Sequence, residues 1–311
     1  MHEQVARVMY YFDIHLLFAS LVACAAWTLT ASLRASATAK YWIWVATLLN
    51  FALPVGALID KLLASHLHWA KPLGLIGDAA YRITQPGPTA TLLGLVWLVG
   101  AGAMLARLTF RLRRDVRAMT HDSALDREPG FLMHGIPVRF AGSQQAPAVD
   151  GVLRPHILLP TGIEGLLSRP ELNAVLMHEV THARRRDNLI RLIHEAALCI
   201  LWFHPLVWFA GARLALYREL SCDDSVIQNA RGADLISALA KLAAPAHQFT
   251  LQASASSFLS RRVARLAGPP QKDFRLAGAI LCAVFAACLL GGVLETVAHT
   301  ACCFVLHART S

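Results

Sequence analysis

Residues 176–187 read LMHEVTHARRRD. His178 and His182 stand four apart, so on a helix their imidazoles project from one face. That is the spacing that holds one tetrahedral zinc ion through two ring nitrogens. Glu179 follows the first histidine directly, angled so that its carboxylate approaches a zinc-bound water without being a ligand. Zinc lowers the pKa of such a water to about 7, and the glutamate can take its proton as the water attacks a carbonyl. Val175, Leu176 and Val180 supply apolar surroundings in which these charges act strongly. The alternative is a pair of helix-surface histidines with no metal, and a third ligand would decide between the two.

Downstream, PLVWFAGARLALYRELSCDDSVIQNA is a long helical pattern. Within it Glu219 and Asp223 are four apart and share a face. Glu219 can complete a zinc triad, and Asp223 can accept a hydrogen bond from a ligand imidazole and fix its orientation. A solvated acidic face, with Asp224 as its third member, is the competing account. Cys222 turns about 100° away from Asp223 on a helix and is expected to pack rather than ligate. Asp187 either pairs with a neighbouring arginine or orients a ligand histidine. Arg184, Arg185 and Arg186 are expected on a solvated face or against lipid headgroups. His194-Glu195 repeats the His-Glu pair, but Leu198 stands where a second histidine would be needed. His156, on a predicted edge strand, could touch substrate, but is expected as an exposed strand histidine.

These residues need elements to position them. A helix is predicted from Ser168, with Pro170 in its first turn and Glu171 three residues after the serine, a capping-box pattern. It should carry the HExxH residues through to about Arg186. Before it, PVRFAG, VDGVL and HILLP are short β-branched or alternating runs broken by Gly and Pro, and predict a small sheet. The stretch Arg154–Leu159 is expected at its edge, where an extended substrate would add through backbone hydrogen bonds. LIRLIHEAALCILWF predicts an apolar helix ended by His204-Pro205.

The chain has 311 residues, 56% hydrophobic and 16% charged, with a mean hydropathy of +0.46. That is too apolar for an ordinary soluble domain of this length. Four runs reach the roughly 20 residues a bilayer crossing needs: Val8–Leu33, Tyr41–Leu63, Thr89–Phe110 and Phe274–Val297. The first is expected as an uncleaved anchor, although Ala35-Ser36-Ala37 resembles a cleavage site. Arginines 107, 111, 113, 114 and 117 follow the third run, and Arg261, Arg262, Arg265, Lys272 and Arg275 precede the fourth. Placing both clusters inside puts 113–272 in the cytoplasm and both termini outside. The expected division is a three-span membrane region (1–112), a cytoplasmic domain (113–272), and a fourth span with a short outer tail (273–311). The net charge of +9 then belongs to span flanks. With no interleaved aromatic platform, direct nucleic-acid binding is not expected. Seven cysteines without a CxxC indicate neither a thioredoxin-like pair nor a cysteine-rich zinc module.

The stretch RPHILLPTGIEGLLSRPELNAVLMHEVTHARRRDNLIRLIHEAALCILWFHPLVWFAGARLALYRELSCDDSVI, residues 154–227, resembles the BlaR/MecR family of membrane-embedded metallopeptidases. HExxH alone is shared by many zinc peptidases. HExxH between ILLP and RRRD, followed by FHPLVW and RELSCDD, is far more specific. The resemblance implies a mainly α fold: a multi-span helical membrane protein with a cytoplasmic gluzincin-like α+β zinc protease domain carrying a small β-sheet. It implies zinc held by His178, His182 and Glu219, with Glu179 as base and Asp223 behind the ligands. It also implies a bacterial inner-membrane location and cleavage of a cytoplasmic protein, typically a transcriptional repressor and often the protease itself, in signal transduction. The short tail HTACCFVLHARTS departs from the family's C-terminal sensor domain, so a separate sensor protein, the outer loop Ala64–Pro88, or constitutive action is expected instead. The Ser/Ala-rich PAHQFTLQASASSFLSRR is a linker or an internal substrate. A housekeeping membrane-quality protease and a non-cleaving signalling scaffold are the rival functions.

Overall fold

The computed structural model of the chain describes residues 2–32, 35–52, 88–122, 131–142, 146–229, 231–243, 260 and 262–267. The fourth expected span, the outer connection up to residue 87 and most of the Ser/Ala-rich segment lie outside these residues. Three helices come first: α1 (His2–Ser32), α2 (Ala37–Ala52) and α3 (Pro88–Asp122). Four short strands follow, β1 (Phe131–Met133), β2 (Ile136–Ala141), β3 (Ala148–Asp150) and β4 (His156–Pro160). Then come α4 (Ile163–Leu166), α5 (Arg169–Arg185), α6 (Asp187–Ile200), α7 (Pro205–Gln228) and α8 (Gly232–Ala243). Among the described residues the chain is therefore mostly helical with one small sheet, as expected.

The multi-span expectation receives narrower support. Among the described residues one helical stretch, Thr91–Arg114 of α3, is long and apolar enough to cross a membrane. In α1 the apolar stretch among the residues whose side chains are described is Ala19–Ser32, and the second expected span is described only as far as Ala52. Helix α2 buries Tyr41, Trp44 and Leu48 inside the protein. By contrast α3 turns Leu93, Val99 and Phe110 outward. It is pinned to the α6–α7 corner by Trp97 Nε1, which donates to the Ile200 carbonyl at 2.9 Å. Trp202 packs so closely on α3 that a Cβ at Gly100 would overlap its ring.

The sheet runs in the order β1-β2-β4-β3. Strands β1 and β2 form an antiparallel hairpin through His134 and Gly135, both with positive φ, the backbone of a type I′ turn. Strand β4 pairs parallel with β2 and antiparallel with β3. This corrects the expected sheet edge: both sides of β4 are taken, and the edges are β1 and β3. His156 is half-buried, its Nε2 3.3 Å from Asp150 Oδ2 across the pair. Strand β3 ends at Gly151, whose φ of +84° and closeness to the Arg154 carbonyl leave no room for a side chain.

Helix α5 starts as predicted. Pro170 lies in its first turn, and the Glu171 carboxylate accepts the backbone N–H of Ser168 at 2.7 Å. Glu171 also accepts from Lys241 Nζ at 2.8 Å and from Ser237 Oγ at 2.5 Å, so the cap ties α8 to α5. Pro205 opens α7 after the predicted break.

Two apolar cores result. One joins α1, α2, α6 and the first half of α7, around Trp44, Leu48, Leu198, Val207 and Ala210. The other joins the sheet, α5, the end of α7, α8 and Leu266, around Ile157, Leu159, Val175, Val226 and Leu235. Helix α7 passes through both. At Gly211 a Cβ would collide with the His194 ring, which is why α6 and α7 can approach closely there. The polar residues singled out from the sequence lie on α5 and α7 at the seam between the cores.

Candidate metal centre

His178 and His182 leave one face of α5 with their Nε2 atoms 3.1 Å apart. Glu219 reaches them from α7, with Oε2 3.5 Å from His178 Nε2 and Oε1 3.8 Å from His182 Nε2. Two nitrogens bound at 2.0–2.1 Å to a tetrahedral ion lie about 3.3 Å apart. The observed separations bracket that value, so the three donors fit such an ion. Glu179 is buried and lines the same cleft.

The far nitrogen of each histidine faces a carboxylate. His182 Nδ1 is 2.7 Å from Asp187 Oδ2. His178 Nδ1 lies 3.1 Å from Asp223 Oδ1, off the line of a good hydrogen bond. Carboxylates at Nδ1 favour the tautomer whose Nε2 lone pair points into the gap between the rings.

Asp187 reaches its histidine because α5 ends in a left-handed residue. Arg186 has φ 55° and ψ 47°, a conformation that costs a non-glycine residue about 1 kcal/mol, and it turns the chain so that α6 begins at once with Asp187. Asp187 does both things the sequence left open. It faces His182 and also pairs with Arg185 Nη2 at 2.7 Å. Its other oxygen accepts the Tyr41 hydroxyl of α2 at 2.6 Å. Burial raises the Asp187 carboxyl, but His182 and Arg185 outweigh it and hold the group below its ordinary range.

Arg185 corrects the expected solvated face. Only Arg184 and Arg186 are exposed. Arg185 lies over the Tyr41 ring at 4.3 Å, donates to Ser221 Oγ, and donates to Cys222 Sγ at 2.9 Å. Cys222 is closer to the centre than expected, for its sulfur and a nitrogen of each histidine lie within 4.8 Å of one another. The angle to Asp223 misleads here. Cys222 is three residues beyond Glu219, one turn along the same face. Burial pushes its thiol above the ordinary range, and Arg185 already occupies its sulfur as a donor.

Asp223 is fully buried and meets an unforeseen partner. Arg262, in a helical stretch at 262–266, donates through Nε to Oδ2 at 2.9 Å and through Nη2 to Oδ1 at 2.7 Å. Three residues on, Arg265 holds Asp224 through Nε at 2.9 Å and Nη2 at 2.7 Å. The sequence offers one hint of this: two arginines at i, i+3 facing an Asp-Asp pair elsewhere.

The charges are mutually tuned. Burial lowers His178, yet Asp223, Glu219 and Glu179 overcome that and push it up to about 9. Burial raises Glu219, and His178, His182 and Arg218 hold it far below its usual range. A cleft of about 400 Å³ opens over these groups. Residues 146–149 at the sheet edge line it on one side, and Val175, Leu235, Leu239 and Leu242 give it an apolar wall. Asn188 Nδ2 donates to the carbonyls of Val149 at 3.0 Å and Gly151 at 3.2 Å, fixing the edge beside the histidines.

Two histidines one turn apart, a glutamate between them and an acidic group from a second helix define the HExxH class of metallopeptidase. The profile of the BlaR1 peptidase M56 family (Peptidase_M56) matches residues 13–266, and the chain belongs to that family of metallopeptidases. It is 37% identical over 178 residues to the regulatory protein BlaR1 of Bacillus licheniformis, a stretch covering 53% of this chain and 29% of that protein. It is 22% identical over 98 residues to the methicillin resistance mecR1 protein of Staphylococcus aureus, covering 32% and 17%. The chain thus spans less than a third of the length of these relatives.

Proposed function

We propose that this chain is a membrane-bound zinc endopeptidase that cleaves a cytoplasmic protein in signal transduction. The observation that carries the reading is the meeting of the two Nε2 atoms, 3.1 Å apart, with both Glu219 oxygens beside them. His178, His182 and Glu219 would hold the zinc, which when bound supplies Lewis acidity toward a water and a peptide carbonyl. Glu179 takes the proton of the attacking water and passes it to the leaving amine nitrogen. Asp223 and Asp187 hold the two imidazoles in the binding tautomer. An extended peptide adds along the sheet edge at 146–149, with an apolar side chain against Leu239 and Leu242.

The apolar, outward-facing α3 supports a membrane location. Arg107, Arg111, Arg113 and Arg114 at its end support a cytoplasmic centre. The regulatory role, with a transcriptional repressor as substrate, is carried over from the relatives. Metal content and peptide cleavage test the proposal on purified wild type beside Glu179→Gln. One zinc per chain in both, with cleavage in wild type alone, is expected. Absence of zinc from wild type refutes the site, and equal cleavage by the variant refutes the role of Glu179.

A further inference from the structure

We propose that Arg262 is a positioning residue of the metal centre, which the segment at 262–266 thereby completes from outside both sequence motifs. The inference rests on the zinc-site reading above. Arg262 is 9% exposed, and a guanidinium is buried so far only where its charge is matched. Its match is the two-pronged hold on Asp223. Asp223 Oδ1 is the shared atom, 2.7 Å from Arg262 Nη2 and 3.1 Å from His178 Nδ1. Where the guanidinium places that oxygen, the imidazole must turn to face it.

Arg262 also spans the centre. Its Nη1 lies 3.6 Å from Glu219 Oε2, and its Nη2 lies 3.5 Å from His178 Nε2. Glu219 and Asp223 are successive carboxylates on one face of α7, in a space with little water to screen them. Without Arg262 they repel each other, and Asp223, with no counter-charge except the imidazole, can leave its present rotamer. The arginine holds both carboxylates in register for the two histidines. Arg265 grips the next residue, Asp224, in a similar way. That second bridge anchors the same segment to α7, yet no contact joins Arg265 to His178, His182 or Glu219 among the described residues.

The test is zinc affinity of the full chain in detergent, measured by competition with a chromogenic chelator. Loss of a residue that orients a ligand typically weakens metal binding about 10–100-fold, and Arg262→Met should fall in that range. Arg265→Met, which removes a similarly forked arginine–aspartate bridge from the same segment, should stay within about threefold of wild type. In an Asp223→Asn background, Arg262→Met should cost less than about threefold more, because the oxygen it positions is already altered. Arg262→Lys keeps the charge without the fork, so its affinity should also fall, and it carries the comparison if Arg262→Met does not fold. The proposal is overturned if Arg262→Met and Arg262→Lys bind zinc like wild type. It is equally overturned if Arg265→Met loses as much as Arg262→Met, or if the loss in the Asp223→Asn background is undiminished. A wild type that takes up no zinc instead sinks the metal-site reading, an outcome distinct from any of these.

Discussion

Metal uptake at this centre should depend on pH in an unusual range. His178 is pushed up to about 9, against an ordinary 6.5, because three carboxylates outweigh its burial. The metal-free centre therefore carries a proton on His178 at neutral pH, and zinc must displace it. Well below 9 the apparent affinity should rise tenfold per pH unit, a gain of about fiftyfold from pH 7 to pH 9. For a histidine of ordinary pKa the curve would be flat by about pH 7.5. Stability of the metal-free protein runs the other way. A raised histidine stabilises the fold fully below pH 6.5, and the contribution, about 3 kcal/mol, is lost as pH rises through about 9. The assay is chelator competition in detergent between pH 6.5 and 9.5, corrected for the chelator's own protonation. Asp223→Asn removes the leading carboxylate and should move the plateau down toward pH 7. An affinity that levels off by pH 7.5 in wild type would refute the argument.

Other expectations concern single groups. Glu219→Gln should abolish stoichiometric zinc, while Cys222→Ser should retain one zinc per chain after dialysis; the reverse result would make the thiol the third ligand. Tyr41→Phe removes the hydroxyl from Asp187 but keeps the ring, so a hydrogen bond to a charged group is lost, worth about 1.5–3 kcal/mol. Thermal unfolding should register that loss, and an unchanged midpoint would argue against the Tyr41–Asp187 bond. Leu235 is 1% exposed between α8 and the sheet core, and Leu235→Ala should cost about 2–5 kcal/mol. An unfolding free energy from denaturant titration lowered by less than about 1 kcal/mol would show that the site collapses freely.

What the sequence disclosed, and what it hid, follows from range. The four-residue spacings of His178 with His182, and of Glu219 with Asp223, are properties of a helix and could be seen before any fold was known. The Ser168–Glu171 cap and the His204-Pro205 break are equally local. The contacts that eluded the sequence are distant ones. Arg262 meets Asp223 across 39 positions and Tyr41 meets Asp187 across 146, and neither pair leaves a periodic trace. Arg185 was hidden differently: three successive arginines look alike until the left-handed turn at Arg186 sends one of them inward. The sheet edge was misplaced because β4 is apolar and alternating whether it has one neighbour or two. For the spans, hydropathy counts apolar residues but does not say whether they face lipid or other helices, and α2 spends its apolar residues on α1 and α7.

The passage of α7 through both cores has a thermodynamic consequence. A helix anchored at one end by Val207 and Ala210 and at the other by Val226 cannot fray in its middle turns without loosening both halves. The backbone amides of residues 214–223 should thus exchange with solvent only through openings that engage the whole assembly. An ion bound there couples to the same event, so its binding energy is spread over two apolar bodies that would otherwise melt as separate units.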